Sequence, residues 1–123
     1  MRKIKSVFCL TLIVVSMFSA AASAASFSFT FTNSGTDYST LATKGNSRSF
    51  ATVNVTTAGN YTYKYAVATG QYTGYKTSWN QKTGKGTFDI NYTSTPSSGT
   101  RLRLHGGTVS SSGTSTVSGT WTP

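Results

Sequence analysis

The stretch SFSFTFTN, residues 26–33, alternates Phe27, Phe29 and Phe31 with serine and threonine. A strand sends successive side chains to opposite faces, so this pattern makes one aromatic face and one hydroxyl face. On a helix the same spacing would scatter the three rings around the circumference. The stretch therefore reads as a strand with its phenylalanine side in a core.

The same period of two recurs downstream. FATVNVTT (50–57) alternates Ala51, Val53 and Val55 with polar groups, and YTYKYAVAT (61–69) aligns Tyr61, Tyr63, Tyr65 and Val67. GYKTSWN (74–80) puts Tyr75 and Trp79 on one side, and GTFDINY (86–92) aligns Phe88, Ile90 and Tyr92. TRLRLH (100–105) sets Leu102 and Leu104 against Arg101, Arg103 and His105, and TSTVSGTW (114–121) aligns Val117 with Trp121. Threonine and aromatic residues suit a pleated surface, and no segment shows an apolar period of 3.6. Ala58-Gly59-Asn60 and Lys82-Thr83-Gly84-Lys85-Gly86 read as hairpin turns. Thr95–Gly99 and Gly106-Gly107 bracket the sixth segment. Short alternating strands with turns at this spacing predict an all-β fold, a small antiparallel β-sandwich of about seven strands. The Ser/Thr/Gly-rich run 110–119 reads as an edge or closing strand, because it leads into Val117 and Trp121.

Residues 1–24 stand apart. Arg2, Lys3 and Lys5 precede the apolar run VFCLTLIVVSMF (7–18), and Ala22-Ser23-Ala24 has the small-residue pattern of a cleavage site. Together these predict a secretory signal peptide, and so a secreted, extracellular protein whose single domain spans residues 25–123. The apolar run is shorter than the roughly 20 residues a membrane span needs. The one cysteine, Cys9, falls inside the signal, so the exported domain has no disulfide. A chain of this size buries only about two-thirds of its unfolded surface, and packing alone must hold it.

Removing Arg2, Lys3 and Lys5 from the eleven basic residues leaves eight against two aspartates, a net charge of +6. Such a cation is drawn to polyanions: teichoic acids, anionic lipid head groups, capsule or released nucleic acid. Catalytic chemistry is poorly supplied. The carboxylates are Asp37 and Asp89 and the imidazole is His105 alone, and no G-x-S-x-G motif surrounds a serine. Asp37 sits in a turn-like run where aspartate bonds nearby backbone, and Asp89 reads as a solvent-face strand residue. One histidine and two aspartates make no plausible zinc site. The expectation is a non-enzyme without metal or cofactor. Three Asn-x-Thr triplets, at Asn54, Asn60 and Asn91, fit chance in so Asn- and Thr-rich a chain.

The candidate ligand-binding residues are Arg101, Arg103, His105, Lys64 and Lys76, with Lys82 and Lys85 in a turn nearby. Arg101, Arg103 and His105 would line the wet face of one strand. Two arginines about 6.6–6.8 Å apart along it suit neighbouring phosphates or carboxylates. His105 there would add charge as pH falls toward 6.5 and tighten binding in acid. The tyrosines 61, 63 and 65 flank Lys64. They are either a stacking platform or, the reading favoured by their period of two, part of the core.

The signal segment, the start FSFTFT, the late strand RLRLHG and the closing VSGTWTP together resemble an uncharacterised family of small secreted all-β proteins of Gram-positive bacteria. A looser similarity, through GNSRSFATV (45–53), is to lactococcin-type bacteriocins. Those are secreted, cationic, cysteine-free β proteins that act on cell-wall synthesis. This chain lacks their His- and Trp-rich beginning, so no site residue carries over. The functional expectation is a monomeric secreted cation that binds an anionic cell-wall polymer or membrane surface, bacteriocin-like in its action, with no specific nucleic acid partner. The alternative is a structural or matrix protein, since SFSFTFTN left at an edge would aggregate.

Overall fold

The computed structural model describes residues 24–110 and 113–123. The signal segment expected at 1–24 lies outside them except for Ala24. Among the described residues nine strands form: β1 (Ala25–Thr32), β2 (Thr36–Tyr38), β3 (Ala42–Thr43), β4 (Phe50–Thr57), β5 (Thr62–Ala68), β6 (Asn80–Thr83), β7 (Gly86–Asn91), β8 (Arg101–Ser110) and β9 (Thr114–Thr122). They make two antiparallel sheets, β1-β9-β4-β7 and β2-β8-β5-β6, with β3 also paired to β8. The fold is the expected small β-sandwich with nine strands rather than seven.

Alternation builds the core. Phe27, Phe29 and Phe31 of the first sheet and Tyr63, Tyr65 and Val67 of the second are buried, as are Leu102, Leu104, Val117 and Trp121. Phe27 meets Tyr65 edge-on with ring centroids 6.4 Å apart, and Phe31 lies 6.2 Å from Tyr63. Each such side chain contributes about 1.5–3 kcal/mol by leaving water. The tyrosine row is therefore core, and Lys64 between its members points to the opposite face.

Four local readings need correction. Ala58-Gly59-Asn60 joins β4 of one sheet to β5 of the other, and Gly84-Lys85 joins β6 to β7 across the sheets. Turn length is the same for a hairpin and for a corner between layers, so spacing could not distinguish them. Gly106-Gly107 is not a turn: β8 runs straight through it. A Cβ on Gly106 would lie 2.4 Å from Cδ2 of Phe29, so the glycine admits the ring of the facing sheet. β9 is no edge strand but lies between β1 and β4. Finally, residues 74–80 do not form a strand. They make isolated bridges, Ala68 with Tyr75 and Thr77 with Tyr92, and strand pairing resumes at β6, partly in the expected turn.

Candidate functional site

The outer face of the second sheet carries the site. On β5 the core-facing residues are Tyr63, Tyr65 and Val67, so Lys64, Ala66 and Ala68 face outward. On β8 Leu102 and Leu104 face in, so Arg101, Arg103 and His105 face out, as their alternation predicts. Ala66 pairs with His105 and Ala68 with Arg103. The small alanines leave room above the sheet, and aromatic rings fill it.

Those rings come from β2 and from residues 69–79. The latter segment turns tightly after β5: Thr69 N–H donates to Gly74 O at 3.0 Å, and Gly70 N–H to Thr73 O at 3.1 Å. Gly74 holds φ +75°, a conformation that resists a side chain. The turn returns Tyr75 alongside Ala68, and Lys76 N–H donates to Val67 O at 2.8 Å. Thr77 Oγ1, buried, accepts from Val67 N–H at 2.9 Å.

The result is an unbroken row of ring contacts with a cation at each end. Lys64 Nζ sits 4.7 Å from the centroid of the Trp79 ring. Trp79 and Tyr75 have centroids 5.6 Å apart, Tyr75 and His105 5.1 Å, and His105 and Tyr38 5.9 Å. The Arg103 guanidinium closes the row, 5.2 Å from the centroid of Tyr38. Tyr72 stands edge-on to Tyr38 at 5.6 Å. Tyr72, Tyr75 and Trp79 are 70%, 40% and 36% exposed, far more than rings in a core. A cation over an aromatic face gains electrostatically from the ring quadrupole, which holds both charges in place at the margins.

His105 departs from expectation. It lies on the outer face but is 1% exposed, beneath the rings. Its Nε2 is 2.9 Å from Gly70 O and its Nδ1 3.3 Å from Tyr75 Oη. A carbonyl only accepts, so Nε2 carries the proton and Nδ1 accepts from the tyrosine hydroxyl. Burial lowers its pKa below the ordinary value. The bond to Gly70 opposes this, and the Arg103 charge adds to it. Burial thus makes the imidazole harder to protonate than an exposed one, and the expected tightening of binding through a solvent-facing His105 does not apply. It is a positioning group that ties residues 70 and 75 to β8.

The other candidate cations divide. Arg103 Nη1 donates to Ser39 O at 2.9 Å, which anchors the guanidinium to the residue after β2. Arg101 is exposed on the same face of β8, two residues beyond Arg103 and opposite Thr43 of β3. Lys76 is half-buried, takes the opposite parity to Tyr75 along its segment, and makes no cation–ring contact among the described residues. Lys82 lies within β6 and Lys85 in the turn that follows. So Lys64, Arg103 and, beyond it, Arg101 share the face, whereas Lys76 stands apart.

Tyr38 and Tyr72 were not among the residues singled out from sequence. Tyr72 had a legible signal: with Tyr75 and Trp79 it puts three aromatics into a polar, glycine-bounded stretch (70–79) that cannot bury them all. Tyr38 had none, since β2 is three residues long. Among the described residues no group of three or more His, Cys, Asp or Glu could hold a metal ion. Asp89 is exposed on β7, where it accepts from Thr52 Oγ1 at 2.8 Å. Asp37 Oδ1 accepts from Tyr38 N–H at 2.8 Å. No protein-family model matches the chain, and no curated protein or solved structure matches it.

Proposed function

We propose that this is a secreted cationic binding protein whose ring-and-cation platform takes an anionic polymer of the bacterial cell envelope. The observation that carries the reading is the row from Lys64 to Arg103, exposed rings bracketed by two cations. Exposed rings contribute contact area at low entropic cost, and the charges steer a polyanion onto them. A net positive balance over residues 25–123 adds long-range attraction. The chemistry is recognition, not bond cleavage, and needs neither metal nor cofactor.

The test is sedimentation of the purified domain with teichoic-acid-bearing cell walls at low and moderate salt. Wild-type protein is expected to co-sediment, less so as salt rises, and Lys64→Gln with Trp79→Ala to release it. Absence of binding, or binding unchanged by salt and by these substitutions, would overturn the reading. The finer proposal, a bacteriocin-like action on neighbouring cells, is tested by growth inhibition with the same preparation.

One observation favours the alternative of a structural or matrix protein. β1 is an edge strand of eight residues without charge, proline or glycine. Natural edges usually carry such breakers against strand addition. Fibres that bind thioflavin, and that Phe29-flanking Ser28→Lys abolishes, would support that reading.

A further inference from the structure

We propose that the ligand of the platform is an acidic polysaccharide: pyranose rings that lie on Trp79, Tyr75 and Tyr72, with carboxylates that reach Lys64 at one end and Arg103 at the other. This rests on the envelope-binding reading and names the class of polymer.

The argument begins with spacing. Lys64 pairs with Gly107, four residues along β8 from Arg103. Four residues of strand span about 13 Å. The two cations are thus well separated, and the side chains of the row between them are rings. Charge density on the ligand must be correspondingly sparse, with an uncharged, ring-complementary surface between the anions. A sugar acid polymer has that form: the C–H faces of its rings are apolar and match an aromatic face, while its carboxylates project at the edges.

Two competing ligands fit less well. A nucleic acid strand carries a phosphate at every nucleotide and is held by a groove of cations that tracks it. Here cations stand only at the margins. A lipid surface would be met by charge and apolar insertion together, but Tyr38, Tyr75 and Trp79 pack against His105, and only Tyr72 projects. Arg103 suits a carboxylate: with Nη1 committed to Ser39 O, its remaining N–H groups can donate to one anion.

The chain offers a built-in reporter. It has two tryptophans, and Trp121 is 1% exposed, so ligand-dependent change in fluorescence arises from Trp79. The experiment titrates the domain with oligogalacturonate, polyglutamate and single-stranded oligo-dT at equal anion concentration, and with the uncharged methyl ester of oligogalacturonate at equal sugar concentration. Oligogalacturonate is expected to shift Trp79 emission and to bind at least about tenfold more tightly than each of the others, a difference near 1.4 kcal/mol. Tyr72→Ala, at the most exposed ring, is expected to weaken it about tenfold while leaving the melting temperature in place. Lys64→Gln is expected to halve the salt dependence. Equal binding of polyglutamate would show that charge alone suffices, and equal or tighter binding of oligo-dT would make the ligand a nucleic acid. Either result overturns the polysaccharide while leaving a polyanion platform. Cell-wall binding without any response to oligogalacturonate overturns the inference but not the envelope reading. Loss of both overturns both.

Discussion

Nε2 of His105 on β8 donates to the carbonyl oxygen of Gly70, 2.9 Å away in the turn after β5. This one bond, with its counterpart from the Tyr75 hydroxyl to Nδ1 at 3.3 Å, fastens the segment that carries three of the platform's rings to the sheet beneath. Several consequences can be measured.

The first concerns pH. The folded His105 has a pKa below its ordinary value near 6.5, chiefly through burial. In the window between the two values the unfolded chain binds the proton and the folded one resists it. Stability therefore rises with pH there, and is lost as pH falls below about 6.5 toward the folded value. Thermal melts from pH 8 to pH 4.5 are expected to be flat above 7 and to decline below 6.5. His105→Gln, which cannot titrate, is expected to start lower and lose the upper part of the decline. An identical decline in the variant would assign it to other groups.

A second prediction concerns the two adjacent glycines of β8. A Cβ on Gly106 would meet the Phe29 ring at 2.4 and 2.6 Å, a rigid neighbour in the core. On Gly107 its nearest neighbour is the flexible Lys64 Cε at 2.8 Å, with Gly35 O at 3.2 Å. Gly106→Ala is expected to cost about 1–3 kcal/mol by overpacking, and Gly107→Ala less. Denaturant titration of the two variants decides it; the reverse order would mean the sheets can part at Phe29 more readily than the packing implies.

Third, the hydroxyls of Tyr63 and Tyr65 are buried with no hydrogen-bond partner among the described residues. Burial raises the Tyr65 hydroxyl's pKa strongly, with the neighbouring Tyr63 adding to it. Removing an unpartnered buried group costs nothing in lost bonds. Tyr63→Phe and Tyr65→Phe are each expected to leave stability unchanged or raise it by up to about 1 kcal/mol. A clear loss in either melt would reveal an internal water holding the two hydroxyls.

Fourth, Lys44 is fully buried, and among the described residues no carboxylate pairs with it. Its Nζ donates to Arg48 O at 2.7 Å and to Asn46 Oδ1 at 3.3 Å, and lies 4.8 Å from the centroid of Tyr92. Desolvation, and then the Arg48 charge, lower its pKa. Lys44→Met keeps the stem but orphans the Arg48 carbonyl, at an expected cost of about 1–3 kcal/mol. Lys44→Ala adds a cavity and is expected to cost more. Equal melting temperatures for Lys44→Ala and wild type would show that the 44–48 turn needs no such brace.

Much of this molecule was settled by the sequence alone, and the reason is local. Alternation at Phe27-Phe29-Phe31, Tyr63-Tyr65-Val67 and Leu102-Leu104 depends only on the geometry of one strand, so the all-β class, the inward faces and the outward row of Arg101, Arg103 and His105 follow without knowledge of any partner. What the tertiary structure decided is everything that depends on which strands meet. Only the pairing of β8 with β2 and β5 sets His105 beside Tyr38 and Ala66. Only the return of residues 69–79 over β5 covers that histidine and turns an expected surface group into a buried brace. The corner turns, the strand character of Gly106-Gly107 and the division of the lysines have the same origin. Burial belongs to a residue's surroundings, and those come from segments dozens of positions away, where a period of two carries no information.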